Sequence, residues 1–475
     1  MRLWLAALAC LFLFTTGAAP PSPTAARVLA ILDSTGGSGT LWAVYVADAR
    51  TGDVLLARNE AMGMLPASNA KTFTMATALD VFGSAKRFRT PLLFKGTQAG
   101  GVLRGDLVVR GSGDPSFGSS EMAGPDPFST WAQALRARGV TRIEGRLVGD
   151  DDAFDDHPYG EGWDIDYVTK QASRLLGVSA SGLSYHDNLV TVRLGTTARN
   201  AAGLATEPAG YLDVVDRSST EGRTRGSAVR MRRVLGTERI VLGGSIPRST
   251  GATLEIPVTN PTALAAHAFR SALDSAGIDV RALKPFDVDD LPEPADLEGA
   301  DTLAVHVSPP LGEILQVVGH ESNNFYADQI FRAFGWAGTA EGAGKQVQAF
   351  LTKAGARAEL NSLFDGSGLS RKNYVTAEAL GRTYVTMYSH RERQAFFDAL
   401  AGPGIESTLQ YRLPGLRVRA KTGSLEFVRA LSGYVTTESG QDIVFVLLAN
   451  NFAGAPYRVV ATMDRVVNAL ATGGL

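Results

Sequence analysis

The apolar positions of the chain change period along its length. Leu41 to Ala47 and Asp53 to Ala57 are apolar-rich runs parted by Arg50-Thr51-Gly52, which predicts a strand, a turn and a second strand. From Met64 to Phe82 the pattern predicts a helix, with Pro66 at its entry, good helix formers inside and Gly83 at its exit. From about Phe88 to Pro294 the runs shorten and Gly and Asp turns multiply. Asp106–Arg110, Arg146–Gly149 and Leu189–Leu194 read there as strands of inserted, β-rich material. Pro261–Gly277 breaks this texture with apolar residues at helical spacing. Helical texture returns at Leu311–Val318, Asn323–Phe334 and Ala377–Ser389. Strands at Leu416–Ala420, Ala430–Thr437 and Ile443–Asn450, then a closing helix at Tyr457–Leu470, end the chain.

Composition changes this picture little. At 475 residues the chain exceeds what one core usually organises, so more than one domain is expected. Its 46 basic and 48 acidic side chains leave a net charge of −2, so no nucleic-acid partner is expected. The start of the chain is more telling. Arg2 precedes an apolar run, Leu3–Phe14, that closes in small residues, the layout of a secretory signal peptide. The leader is taken as residues 1–26, and an exported, extracytoplasmic protein is expected. That run is shorter than the roughly 18 residues of a spanning helix. The only cysteine, Cys10, lies within it, so the mature chain would carry no disulfide and would depend on packing.

Three short motifs carry the candidate chemistry: Ser68-Asn69-Ala70-Lys71, Ser322-Asn323-Asn324 and Lys421-Thr422-Gly423. Ser68 and Lys71, three apart at the start of a predicted helix, share a face, so the amine can reach the hydroxyl. That suits a nucleophile and its base, and the helix N-terminus favours an oxyanion beside Ser68. To accept a proton near neutrality Lys71 must lose several units of basicity; a second ammonium, Lys421, is the candidate partner that lowers it. Gly423, just after a basic strand, lets a substrate backbone approach closely, and the Ser424 N–H becomes a second oxyanion donor. Ser322 and Asn324 open a helical run, where a plain capping role competes with a catalytic one.

The three motifs together resemble the low-molecular-mass class C penicillin-binding proteins, D-alanyl-D-alanine carboxypeptidases and endopeptidases that trim peptidoglycan. Gly111-Ser112-Gly113-Asp114-Pro115, Asp365-Gly366-Ser367-Gly368 and Leu431-Ser432-Gly433-Tyr434 extend the resemblance over nearly the whole mature chain. The long separation of the first two motifs matches the family's large insertion and exceeds what a β-lactamase needs. The resemblance implies Ser68 as nucleophile, Lys71 as general base, and Ser322 and Asn324 as proton relay and amide contacts. It further implies that Lys421 and Thr422 hold the terminal carboxylate, that Ser68 and Ser424 supply oxyanion donors, and that the Asp365–Gly368 loop shapes the site. His320-Glu321, where relatives suggest basic residues, departs from the pattern.

The expected fold class is therefore α+β and multidomain. A β-lactamase/transpeptidase-like domain, an antiparallel sheet flanked by helices, is built from residues 27–93 and 302–475 and interrupted by β-rich material at 94–301. The expected activity is serine D-Ala-D-Ala carboxypeptidase action on peptidoglycan stem peptides, extending to D-alanyl cross-links, with β-lactams as inhibitors and neither metal nor organic cofactor. The alternative is a catalytically idle peptidoglycan-binding or β-lactam-sensing protein. Trp163, Asp164, Asp166 and Tyr167 form an aromatic and acidic cluster in the insertion, from which Asp166 is expected to border the cleft and receive a substrate amine. Oligomeric state has no signature in the chain.

Overall fold

In the computed structural model, which describes residues 22–473 except 36–38, 171–172, 174–175, 197–201, 222–228, 248–250, 282–285 and 292–296, the two ends of the chain share one sheet. Its five strands are all antiparallel, in the order Val418–Leu425, Val428–Thr436, Asp442–Asn450, Leu41–Asp48, Val54–Arg58. The central strands are apolar on both sides because both faces are covered. Trp42, Val44, Phe445 and Leu447 pack under the helices Pro23–Thr35 and Pro456–Thr472. Ala43, Tyr45, Val446 and Leu448 pack under a second layer that includes Ala70–Phe82, Leu311–His320, Asn324–Phe334 and Ala377–Ser389. Successive side chains point to opposite faces, so one continuous apolar run serves two cores.

Helix Pro23–Thr35 reaches into the expected leader. Its Ala25, Val28 and Leu32 are buried with the closing helix, so folded structure starts before residue 26. Residues 1–21, with Cys10 and most of the leader, lie outside the described residues. Among the described residues no helix is long and apolar enough to cross a membrane.

Among the described residues the insertion holds two larger cores, besides a small cluster of Leu93, Val108 and Val148. A seven-stranded mixed sheet packs on helices Pro127–Ala137 and Pro261–Ser275, where Phe128 stacks on Phe269 with ring centroids 4.8 Å apart. Beyond it, strands Leu189–Thr196, Ala202–Glu207 and Ala252–Pro257 and the sheet of Asp213–Asp216, Arg230–Arg233 and Arg239–Gly243 share a core of Val190, Val192, Ile240, Leu242 and Ile256. Boundaries at 93 and 302 divide strands that the ladder keeps whole. Arg89–Ala99 pairs from Leu92 to Ala99 with Val102–Arg110, and from Arg89 to Phe94 with Asp301–Val307. The change of sheet falls where the two crossings run side by side, with the Ser308 N–H donating to the Phe88 carbonyl at 3.0 Å.

Three elements bring the motifs together. The helix Ala70–Phe82, entered through a short 3-10 turn at Ala67–Asn69, is buried from Ala70 to Leu79 and runs through the core. Strand Val418–Leu425 is the edge of the five-stranded sheet and lies against that turn. Helix Asn324–Phe334 faces two ways. Asn324 and Asp328 turn towards the site, whereas Tyr326, Gln329 and Arg332 bond to Ser119, Ser181, Ser184 and Asp155 of the insertion.

Candidate active site

Ser68 sits on a strained turn. The preceding Ala67 has φ 47°, in the left-handed region that an alanine enters at a cost of about 1 kcal/mol or more. Asn69 ties the turn to the sheet: its Nδ2 donates to the Lys421 carbonyl at 3.2 Å, and its Oδ1 accepts from the Ser432 hydroxyl. A Cβ on Gly423 would lie 2.9 Å from the Pro66 carbonyl oxygen and from Asn69 Nδ2. The glycine of the third motif thus lets the edge strand close on the nucleophile turn.

Lys71 is fully buried, with three oxygen partners around Nζ: Ser68 Oγ at 3.1 Å, Asn324 Oδ1 at 2.5 Å and the Ser367 carbonyl at 2.6 Å. Burial pulls its amine down to about 8, while the carboxylates of Asp328 and Asp365 pull it back up. Lys421 Nζ donates to Ser322 Oγ at 2.8 Å and to the Thr422 carbonyl at 3.1 Å. Burial first and the charge of Lys71 second hold Lys421 well below the usual lysine range. With Lys421 taken as the partner that lowers Lys71, the Ser68 hydroxyl is expected to sit between the two amines. In the structure each amine instead has its own hydroxyl, Lys71 with Ser68 and Lys421 with Ser322, and burial is the first cause of the lowered basicity of Lys71.

Ser322 does not cap the helix that follows. Asn323 does, its Oδ1 accepting from the Tyr326 N–H at 3.0 Å, which leaves Ser322, at φ 61°, aimed at Lys421. Ser68, Ser322, Asn324, Thr422, Gly423 and Ser424 line one cleft of about 320 Å³, with Glu321, Leu369, Thr408 and Leu425. The Thr422 hydroxyl donates to that of Thr408 at 2.9 Å. Glu321 puts a carboxylate at the wall, whereas His320 turns away to the Asp398 carbonyl at 2.8 Å.

From the insertion, Ser173 and Leu176 reach the cleft; Asp166 is not part of its lining. Asp166 lies in the short helix Ile165–Thr169, its carboxylate paired with Lys170 at 2.8 Å, one turn on. Side-chain chemistry alone singles it out in the sequence, and nothing local there points to Leu176. Trp163 has the larger structural part. Its Nε1 donates to Asp365 Oδ2 at 2.8 Å, and Asp365 also accepts from the N–H groups of Gly368 and Ser370 and from Asn373 Nδ2. The insertion thus pins the loop whose Ser367 carbonyl holds Lys71. Trp163→Phe keeps a ring but removes a donor to a carboxylate, which costs about 2 kcal/mol. Urea unfolding of the two proteins measures this, and equal stabilities would show that the bond holds nothing. Asp328 is the residue that motif reading misses, although it follows Asn324 by one helical turn.

The Ser68 hydroxyl, the buried amines and the edge strand converge as in a serine acyl-transfer enzyme on a helix-covered antiparallel sheet. The description of the D-Ala-D-Ala carboxypeptidase 3 (S13) family matches residues 25–470, and the chain belongs to that family, as a serine-type D-Ala-D-Ala carboxypeptidase. It is 31% identical over 456 residues to a D-alanyl-D-alanine carboxypeptidase of Actinomadura sp. (strain R39), a match over 90% of this chain and 81% of the relative. To the D-alanyl-D-alanine carboxypeptidase DacB of Haemophilus influenzae it is 26% identical over 422 residues, 82% of this chain and 81% of the relative. Its fold is similar to the crystal structure of penicillin binding protein 4 (dacB) from Haemophilus influenzae, with a TM-score of 0.78 at 22% identity over 94% of this chain and 100% of that one.

Proposed function

We propose that the chain removes the terminal D-alanine of peptidoglycan stem peptides through an acyl-enzyme on Ser68, with Lys71 as general base. The observation that carries this reading is the set of partners around Lys71 Nζ. A neutral amine has two N–H donors and one lone pair, and the three oxygens accommodate it: Asn324 Oδ1 and the Ser367 carbonyl accept, and the Ser68 hydroxyl donates. After proton transfer the ammonium donates to all three. The base therefore changes charge without leaving any partner unmet.

Ser68 Oγ attacks the carbonyl carbon of the penultimate residue, and its proton passes to Lys71. The N–H groups of Ser68 and Ser424 are the candidate donors to the oxyanion. When the peptide C–N bond breaks, the D-alanine nitrogen takes a proton from Ser322 Oγ, which Lys421 resupplies across 2.8 Å. Lys421 and Thr422 attract the terminal carboxylate. The proton that Lys71 took from Ser68 makes good the one Lys421 gave up, so Lys71 is neutral again; it then takes a proton from the water that attacks the ester carbonyl and returns it to Ser68 Oγ as that oxygen leaves. A β-lactam offers Ser68 a strained amide for the same first step. The apolar segment behind Arg2 supports export, so the substrate is met outside the cytoplasm.

Incubation with a fluorescent penicillin, then peptide mass spectrometry, is expected to place the label on Ser68, and D-alanine release from a stem peptide is expected to accompany it. Both are lost in Ser68→Ala. A wild-type chain that takes no label would establish the idle reading instead.

A further inference from the structure

Asp328 has no part in the steps above, yet it is buried beside them. Its Oδ1 accepts from the N–H groups of Gly366 at 2.8 Å and Ser367 at 3.0 Å. The carbonyl of that same Ser367 accepts from Lys71 Nζ at 2.6 Å. Asp328 Oδ2 is buried with no hydrogen-bond partner among the described residues. A buried carboxylate oxygen left without a donor is costly, and a nearby ammonium is what most readily offsets it. The helix supplies the geometry: Asn324 and Asp328, four apart, stand one above the other on the face towards Lys71.

We propose that Asp328 is a positioning residue for acylation, fixing the Ser367 carbonyl with one carboxylate oxygen and stabilising the positive charge of Lys71 with its buried negative charge. This rests on the reading of Ser68 and Lys71 given above. The charged groups facing it come from every element around it. Lys71 lies on the nucleophile helix and Asp365 on the adjoining loop. Lys421, on the edge strand, is itself lowered by the charge of Lys71. Arg332, one turn along the helix from Asp328, is engaged with Asp155 Oδ1 and the His157 carbonyl. Burial and the like charge of Asp365 push Asp328 up to about 7, and Lys71 opposes them. Each of the two buried groups is thus the counter-charge that opposes the other's shift.

Asp328→Asn keeps an acceptor for the two loop N–H groups and removes the charge. Its acylation by a chromogenic β-lactam should keep an acid limb, with the midpoint about one pH unit lower than in the wild type, because Lys71 no longer has its counter-charge. Asp328→Ala, which loses the acceptor as well, should lower the plateau further. A folded Asp328→Asn whose profile superimposes on the wild type overturns the proposal, because loop anchoring alone would leave the midpoint where it is. A wild type that takes no label overturns instead the assignment of Ser68, so the two failures differ. Should the Asn variant not fold, carbon-13 NMR of aspartate-labelled wild type decides. A buried aspartate carboxyl that is ionised at the pH where Lys71 is still protonated supports the proposal, and one that stays protonated from pH 6 to 9 rejects it, because it then has no charge to offer Lys71.

Discussion

Lys71→Ala acylates Ser68 with penicillin on the order of 10³-fold more slowly than the wild type, the loss expected when a positioned base is removed. The substitution takes away the amine that contacts Ser68 Oγ at 3.1 Å, together with its bonds to Asn324 Oδ1 and the Ser367 carbonyl. A slow rate by itself would not separate lost base from lost packing. The pH dependence does. Burial brings the amine down to about 8. Below that value Nζ carries a proton and cannot take another from Ser68, so the reactive fraction falls about tenfold per pH unit. Wild-type acylation should therefore climb from about pH 5 to 7 and flatten above about 8. An exposed lysine would let it climb to about pH 10. In Lys71→Ala this limb disappears. Stopped-flow acylation between pH 5 and 10 reads both features. A limb that survives in the variant, or a wild-type rate still rising at pH 10, would remove Lys71 from the role of base.

What the sequence shows of this site is local, and what it hides is long-range. Ser68 and Lys71 are legible together because a helix puts i and i+3 on one face, and Lys421 because Thr422 and Gly423 follow it at the end of a basic strand. That the two amines serve different hydroxyls is not legible, since it depends on how the edge strand and Asn324–Phe334 approach the nucleophile turn. Asp328 has the same history: its spacing from Asn324 is visible, but its burial comes from the loop at Gly366 and Ser367. Among the elements, helix Pro127–Ala137 does carry signals, with Asp126 as cap to the Ser129 N–H and Pro127 in the first turn, but the β-rich texture on either side masks them. Helix Ala340–Lys353 is harder to see. Gly342 and Gly344 lower its propensity, and contacts of Val347, Phe350 and Leu351 in the core hold it in place. The insertion boundary shifts for a related reason: a strand's texture does not say which sheet it joins.

Gly368→Ala should damage the enzyme more than any other single methyl group added near the site. Gly368 has φ 88°, where an alanine is strained by about 1 kcal/mol or more. A Cβ there would also overlap the carbonyl oxygen of Ala67 and crowd the Ser68 nitrogen. Those are backbone atoms of a turn already held at φ 47°, so no side chain can swing aside to make room. Either the Ser68 turn moves, or the 365–370 loop moves and takes the Ser367 carbonyl with it. Both widen the contact between Ser68 and Lys71. Together, strain and overpacking cost about 3 kcal/mol, and a displacement near 1 Å in the reacting pair costs about 10²-fold in acylation. Gly440 supplies the control. It has φ 87°, in the turn between strands Val428–Thr436 and Asp442–Asn450, with nothing within 4 Å of its would-be Cβ. Gly440→Ala therefore isolates the dihedral strain and should lower stability by about 1 kcal/mol while acylation stays at the wild-type rate. If the two variants prove equally active, the contact between the Gly368 backbone and the nucleophile turn does not set the geometry of Ser68.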